Sequence, residues 1–309
     1  MHFLITGGSG FIGSNLIPRL LEDSHHVSVF DVKPLEACSR LQSFLDKIEY
    51  QQIDFQNLSQ IKSQLRNFDT VIHLFGRANT RVGSSTDLDL NQGPIATYNI
   101  LEAMKINQIP KIIFSSGPGV YGNPKQFPTN EETGPFLPVS LYGAAKLASE
   151  GLISAYCNLF NIQSWIFRFG NVVGNGMTRG VIFDLISKLK RDPKNLEILG
   201  NGKQKKDLIF IDDCISGILT AFHNSNERVN LFNLSSGTTL TVNDIVDIII
   251  DTMKLKNVEI THTGGKTGWV GDVSKIHLDA SKLRNLGWKP RFSCEESVRL
   301  TTKEILKSL

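Results

Sequence analysis

A chain of 309 residues with an apolar fraction of 40% is long enough for one large α/β domain, or for a domain with a smaller lobe. Its formal net charge of +3 is too small to mark a dedicated binder of nucleic acid or of a membrane surface. The four cysteines, Cys38, Cys157, Cys214 and Cys294, stand far apart without a CxxC pair, which argues against a disulfide frame and a metal site and for buried thiols in a reducing cytoplasm.

In chain order, the first half alternates short β-branched runs with longer amphipathic stretches. HFLIT, VSVF, IEYQQI, DTVIHL, KIIFSS and IQSWIFR read as buried strands. Helical spacing fills 11–22, 58–66, 87–107 and 141–160 between them. This alternation predicts a doubly wound parallel sheet of Rossmann-like α/β type, with helices on both faces. After Arg168 come the Gly-rich FGNVVGNG, a helix, a hairpin-like stretch EILGNGKQKKDLIFI and a helix from Asp212. The last third holds a helix over 242–253, capped by TVND, and a C-terminal helix after Ser293. The expected organisation is a dinucleotide-binding domain over 1–169, to which 207–235 returns, and a smaller lobe from 170–206 and 236–309 that closes over the sheet's carboxyl edge. MHFLIT is too short for a signal peptide, and IVDIII is broken by Asp247 and far below spanning length, so a soluble cytoplasmic protein is expected.

TGGSGFIG follows the first strand and opens the first helix, the context in which glycines let a pyrophosphate approach backbone amides. Gly7, Gly10 and Gly13, with Phe11 and Ile12 between them, are the candidate cofactor contacts. Asp31 ends the second strand where a carboxylate reaches the adenosine ribose; it accepts from both ribose hydroxyls and repels a 2′-phosphate, favouring NAD over NADP. The competing reading of Asp31 is a loop cap. Asp54, in QIDFQN, either faces the adenine amino group or caps the following helix.

SLYGAAKLASE puts Tyr142 and Lys146 one turn apart on one helix face. A phenol titrates near 10, and a lysine beside it together with a positive nicotinamide ring favours the phenolate, making Tyr142 a candidate acid–base group. His73 reads as a satisfied core imidazole, and no residue cluster has metal-ligand spacing.

TGGSGFIG, Asp31, Asp54, SSGPGVYG, YGAAK and RFGNVVG occur in the order and approximate spacing of the extended short-chain dehydrogenase/reductase family. The chain most resembles its NAD-dependent nucleotide-sugar epimerases and dehydratases, of the UDP-glucose 4-epimerase type, over nearly its whole length. The resemblance implies transient oxidation of a sugar carbon by NAD, with a nucleotide-diphosphate sugar as substrate. Tyr142 and Lys146 then act as catalytic residues that also contact NAD. The family's usual Ser or Thr three residues before the VYG valine is Gly117 here, and the alternative place before that valine is Gly119. Ser116 is the candidate substitute hydroxyl, unless the tyrosine works alone. The same turn lacks the acidic pair typical of dehydratases, and Glu131 and Glu132 read as solvated.

By the same resemblance Asn171, in RFGNVVG, contacts the diphosphate side of the substrate, or else satisfies its own turn. Lys206 stands where the family usually has an arginine, and Trp269 stands near the place of a second. A lysine there supplies charge without the planar fork; otherwise Lys203, Lys205 and Lys206 are a solvated hairpin. A tryptophan stacks on a sugar or base, or packs the lobe. The expected reaction is a 4-epimerisation with NAD regenerated each cycle; the alternatives are a nucleotide-sugar reductase or dehydrogenase, or a catalytically weak NAD-binding relative. A homodimer is expected, with Tyr98, Ile100 and Leu101 serving either core or interface. Neither nucleic acid nor membrane is an expected partner, and no metal is expected.

Overall fold

The computed structural model describes residues 1–77, 87–269 and 271–308. β1 (His2–Thr6), α1 (Phe11–Glu22), β2 (His26–Asp31), β3 (Glu49–Gln52), α2 (Leu58–Gln64) and β4 (Thr70–His73) open the chain. The amphipathic stretch expected as one helix over 87–107 is divided. α3 (Asp87–Leu90) passes into a π turn over Asn91–Ile95 before α4 (Ala96–Ile106). Pro94 lies inside the π turn, where its missing amide and its ring are incompatible with a regular α ladder. β5 (Lys111–Ser116), α5 (Leu141–Phe160) and β6 (Gln163–Phe169) follow.

These strands and β11 (Val229–Leu234) form a seven-stranded sheet in the order β11-β6-β5-β4-β1-β2-β3. The pairings from β3 across to β6 are all parallel. The chain leaves β1 toward β2 on one side and resumes at β4 on the other. Parallel pairing sets the carboxyl ends of β1, β4 and β5 at one edge of the sheet, and the reversal between β1 and β4 is the point of that edge where open α/β sheets place ligands. Leu16, Ile17 and Leu20 of α1 are fully buried, each such side chain contributing about 1.5–3 kcal/mol of burial. Ile100 and Leu101 are likewise fully buried and belong to a core cluster with Leu4, Val71 and Ile112, so of the three possible interface residues only Tyr98 is exposed.

The remaining elements are β7 (Asn171–Val173), α6 (Val181–Arg191), β8 (Asn195–Ile198), β9 (Lys205–Lys206), β10 (Leu208–Phe210), α7 (Ile211–Asn224), β12 (Leu240–Thr241), α8 (Val242–Thr252), β13 (Glu259–His262), α9 (Ser281–Arg284) and α10 (Cys294–Ser308). The hairpin expected in EILGNGKQKKDLIFI is not formed. β8 pairs in parallel with β13, β9 antiparallel with β12, and β10 in parallel with β7. Each strand finds a partner far away in sequence, which local turn signals do not reveal. α8 has the capping box read from TVND: Thr241 Oγ1 accepts from the Asp244 amide, and Asp244 accepts from the Thr241 amide.

The chain divides into two compact units: Met1–Val120, Ser140–Arg168 and Ala221–Phe232 in one, and Tyr121–Val139, Phe169–Thr220 and Asn233–Leu309 in the other. The second unit therefore holds 121–139 and 207–220 besides the segments expected for the smaller lobe. Its core joins Ile182, Ile186, Leu208, Ile245, Ile249 and Val298.

Candidate active site

The glycine turn after β1 is shaped by close approaches. Gly7 has φ +69°, and a Cβ there would lie 2.8 Å from the backbone N and Cα of Phe75. A Cβ on Gly13 would lie 2.6 Å from Gly8 Cα, so α1 packs on the turn at a distance only glycine permits. Gly10 is the extended N-cap of α1 and makes no side-chain cap. The first-turn amides of Phe11, Ile12 and Gly13 have no carbonyl a turn earlier to meet them, and the helix dipole places partial positive charge there. This cradle fits a dinucleotide pyrophosphate. Asp31 is buried at the end of β2; its carboxylate accepts from the Ser9 amide at 3.1 Å and the Lys33 amide at 3.3 Å. It is tied to the glycine turn, the place a ribose-binding carboxylate needs. Asp54 is exposed and accepts from the Gln56 amide at 3.0 Å, while Asn57, not Asp54, caps α2.

The Tyr142–Lys146 pair lies on the first turns of α5. Ser140 caps that helix, accepting from the Gly143 amide at 3.1 Å. Lys146 Nζ donates to Ser115 O at 2.7 Å, 4.9 Å from the Phe114 ring centre and 5.9 Å from that of Tyr142. Its burial brings the ammonium down to about 8, because a charged amine is penalised away from water. The phenol moves the other way, pushed up to about 12 by burial first and by the charge of Asp89 second. The phenolate expected from the lysine neighbour is therefore not favoured in the protein alone; desolvation and a carboxylate outweigh it. Gly76 joins this pair to the glycine turn. A Cβ on Gly76 would lie 3.2 Å from Gln92 O, in the π turn, and 3.6 Å from Lys146 Nζ.

The turn after β5 distinguishes between its two serines and two glycines. Ser116 Oγ donates to Glu150 Oε1 at 2.5 Å, and Glu150 also takes Arg168 Nε at 3.0 Å and Nη2 at 2.6 Å. Ser116 and Arg168 are register partners on β5 and β6, so both side chains point to the same face, toward α5. All three residues are buried. The Ser115 hydroxyl is buried too and, among the described residues, reaches only His73 O, at 3.4 Å. The position that faces the phenol is Gly117: a Cβ there would lie 3.5 Å from Tyr142 Oη, with open space beyond it. Ser116 is thus placed in an ion-pair network rather than as the expected substitute hydroxyl.

The second unit treats its candidates differently. Asn171 Nδ2 donates to Asp207 O at 3.0 Å, alongside its own amide at 2.7 Å, so its side chain helps hold the β7–β10 pairing. Lys206 points inward while Lys203 and Lys205 are exposed. Its Nζ lies 2.9 Å from Asp272 Oδ1, donates to Val273 O at 3.2 Å, and stands 5.7 Å from the centre of the Trp269 ring. The two ion-paired side chains are 9% and 5% exposed, so the expected diphosphate cation sits inside a buried pair. Glu131 is not solvated as expected: it accepts from the Asn233 amide at 2.7 Å, and burial raises its pKa.

Sequence reading missed three polar residues. Asp207 is fully buried, accepts from Ser235 Oγ at 2.6 Å and the Leu278 amide at 2.9 Å, and is pushed up to about 7, burial outweighing those bonds. Asp89 is 8% exposed and pairs with Arg77 at 3.0 Å. Glu150 carried a signal in its place one turn after Lys146. His73 is the satisfied core imidazole expected, 2.7 Å from Thr6 Oγ1 and 3.2 Å from Thr97 Oγ1, and burial brings it down to about 3. Among the described residues no group is placed to hold a metal ion, no helix is long and apolar enough to cross a membrane, and all four cysteines are buried and free.

A parallel sheet with a glycine cradle at its switch point, a buried aspartate at the end of β2 tied to that cradle and a Tyr–Lys pair after the fifth strand defines a Rossmann-type, NAD-dependent member of the extended short-chain dehydrogenase/reductases. Residues 3–235 match the model of the NAD-dependent epimerase/dehydratase family, and the chain belongs to that family. A putative UDP-glucose 4-epimerase of Methanocaldococcus jannaschii is 32% identical over 96% of this chain and 95% of its own. A crystal structure of a UDP-galactose 4-epimerase superposes with a TM-score of 0.88 at 31% identity, covering 100% of both chains. The UDP-glucuronic acid 4-epimerase of Bacillus cereus, solved with UDP-glucuronic acid and NAD, gives a TM-score of 0.90 at 26% identity, again over 100% of both.

Proposed function

We propose that this protein interconverts the C4 epimers of a UDP-sugar. The observation that carries the reading is the Tyr142–Lys146 pair, set after β5 and linked through Phe75 and Gly76 to the glycine cradle. The UDP-sugar 4-epimerases it resembles over their full length give the same direction. Bound NAD supplies reversible two-electron oxidation at C4 and a positive ring near the phenol.

In this reading Tyr142 holds and moves one proton between its phenol oxygen and the C4 hydroxyl. Lys146, fixed on Ser115 O, keeps a cationic donor one turn away to orient the cofactor ribose and steady the phenolate. Phe11, Ile12 and Gly13 offer amides to the pyrophosphate, Asp31 accepts from the adenosine ribose and selects NAD over NADP, and Asp54 serves the adenine side. The open face at Gly117 leaves the phenol to work without a neighbouring side-chain hydroxyl. In the second unit Asn171 and Trp269 are assigned to the nucleotide side, with Lys206 and Asp272 supporting Trp269 from behind. The segments 170–206 and 236–309 supply most of that substrate-binding lobe.

The exposed Leu88, Leu90, Ile95 and Tyr98, with Leu141 and Leu159 of α5, are the residues we assign to contact with a second copy of the chain, and a reducing cytoplasm suits its free thiols. The test is to incubate purified protein with UDP-glucose, UDP-galactose and UDP-glucuronic acid in turn, without added cofactor. Appearance of the 4-epimer of one of them is expected; no conversion, or conversion only with stoichiometric added NADH, overturns the reading.

A further inference from the structure

With Gly117 bare and the Ser116 hydroxyl committed to Glu150, the Tyr142 phenol has no hydroxyl partner on β5. The side of the phenol toward α3 is different. α3 packs against α5, and Asp89 projects from it into the interior, 8% exposed. One oxygen, Oδ2, takes Arg77 Nη1 at 3.0 Å. The other, Oδ1, is buried and makes no hydrogen bond among the described residues. Leaving a buried carboxylate oxygen unpaired is costly, and buried polar atoms in folded proteins are nearly all satisfied. Arg77 follows Gly76, where an added Cβ would lie 3.6 Å from Lys146 Nζ, so the Arg77–Asp89 pair adjoins the proposed reaction centre along the chain.

We propose that Asp89 is a substrate-binding residue of the reaction centre, its free Oδ1 accepting a hydrogen bond from one sugar hydroxyl other than the one that Tyr142 deprotonates. This rests on the sugar-nucleotide reading above. A carboxylate is the strongest acceptor a protein offers to a sugar hydroxyl, and Arg77 fixes its plane so that one lone-pair direction stays available. The negative charge beside the phenol also opposes loss of its proton, in agreement with the raised pKa of Tyr142. Among the described residues, the charged and titratable groups around this point are Lys146 and Glu150 on α5, Arg77 after β4, and neutral His73 on β4.

The test compares wild type and Asp89→Asn on a UDP-hexose that wild type epimerises and on its 2-, 3- and 6-deoxy analogues. Asparagine keeps an acceptor for Arg77 but turns the free oxygen into a donor. Wild type is expected to lose about tenfold or more in kcat/KM on one analogue, the scale of a lost charged hydrogen bond. Asp89→Asn should lose a similar factor on the parent sugar and nothing further on that analogue, and its acid limb of kcat should move to lower pH. Bound NAD and melting temperature are expected to stay near wild type. If Asp89→Asn does not fold, Asp89→Ser and the wild-type analogue series carry the same comparison. Wild type that tolerates all three deoxy sugars, or an Asp89→Asn loss that simply multiplies with every deoxy loss, overturns the assignment while leaving the epimerase reading intact. Wild type inactive on every UDP-sugar overturns both.

Discussion

The polar groups at the carboxyl edge of the first unit and the ion pairs of the second unit are organised in opposite ways. At the edge, the α1 amides face outward from an uncapped Gly10, the Asp89 carboxylate keeps one oxygen free of partners among the described residues, and the Gly117 side of the phenol is open. In the second unit, Lys206 is closed against Asp272, and Asp213 takes Arg291 and the Phe292 amide; Asp207 takes Ser235 and the Leu278 amide on Oδ2 alone, its Oδ1 having no partner among the described residues. The difference teaches that a charged residue at a motif position can be either an available ligand or a neutralised strut. Only its partners decide which.

The sharpest way to break this contrast is at its most available group. Tyr142→Phe should lower kcat by about a hundredfold to ten thousandfold, the range for a lost proton-transfer group, with melting temperature and NAD binding retained. Turnover near wild type would show that another base is used.

The next largest effect should come from the strut. Lys206→Met leaves Asp272 buried without its cation and should cost about 3–5 kcal/mol of stability, measured by denaturant unfolding. Adding Asp272→Asn should restore part of that loss. A Lys206→Met protein of unchanged stability but raised KM would instead make Lys206 a diphosphate ligand and erase the contrast.

Asp207 tests the same unit through pH. Its folded pKa of about 7 lies above the ordinary aspartate value of 3.8, so the folded state holds a proton that the unfolded state releases. The stability it contributes is fully present below 3.8 and is lost as pH rises through about 7. Asp207→Asn keeps the protonated form's shape, so its stability relative to wild type should rise across that window by up to about 1.4 kcal/mol per pH unit. A difference that does not change with pH would contradict the buried, proton-holding carboxyl.

The smallest expected effect separates Ser116 from Gly117. Ser116→Ala removes a donor to Glu150 and should cost about 1–3 kcal/mol of stability but less than about tenfold in kcat. A hundredfold loss of kcat in a stable Ser116→Ala protein would make Ser116 the reacting hydroxyl after all.

Much of the first unit was legible because its signals are local. The bounds of α1 and α5 follow the sequence periodicity, the TVND capping box is formed, and YGAAK lies on a single helix face. What was not legible depends on distant partners. The stretch EILGNGKQKKDLIFI resembles a hairpin, yet its strands pair with β13, β12 and β7. Lys206 keeps its sequence position but loses its freedom to Asp272, which is 66 residues away. Ser116 looked like a hydroxyl near the phenol until register with Arg168 turned it toward Glu150. Asp89 lies in a segment whose helical spacing hid the π turn beside it, so neither its burial nor its pairing with Arg77 had a local signature.

The central claim is that C4 is oxidised and restored within one enzyme-bound cycle. It is tested most directly with a UDP-sugar carrying deuterium at C4, turned over by the purified protein in ordinary water with no added cofactor. The account predicts that the 4-epimer forms with its deuterium still at C4. Loss of the label to solvent, or its transfer to a pool of added NAD, would contradict it.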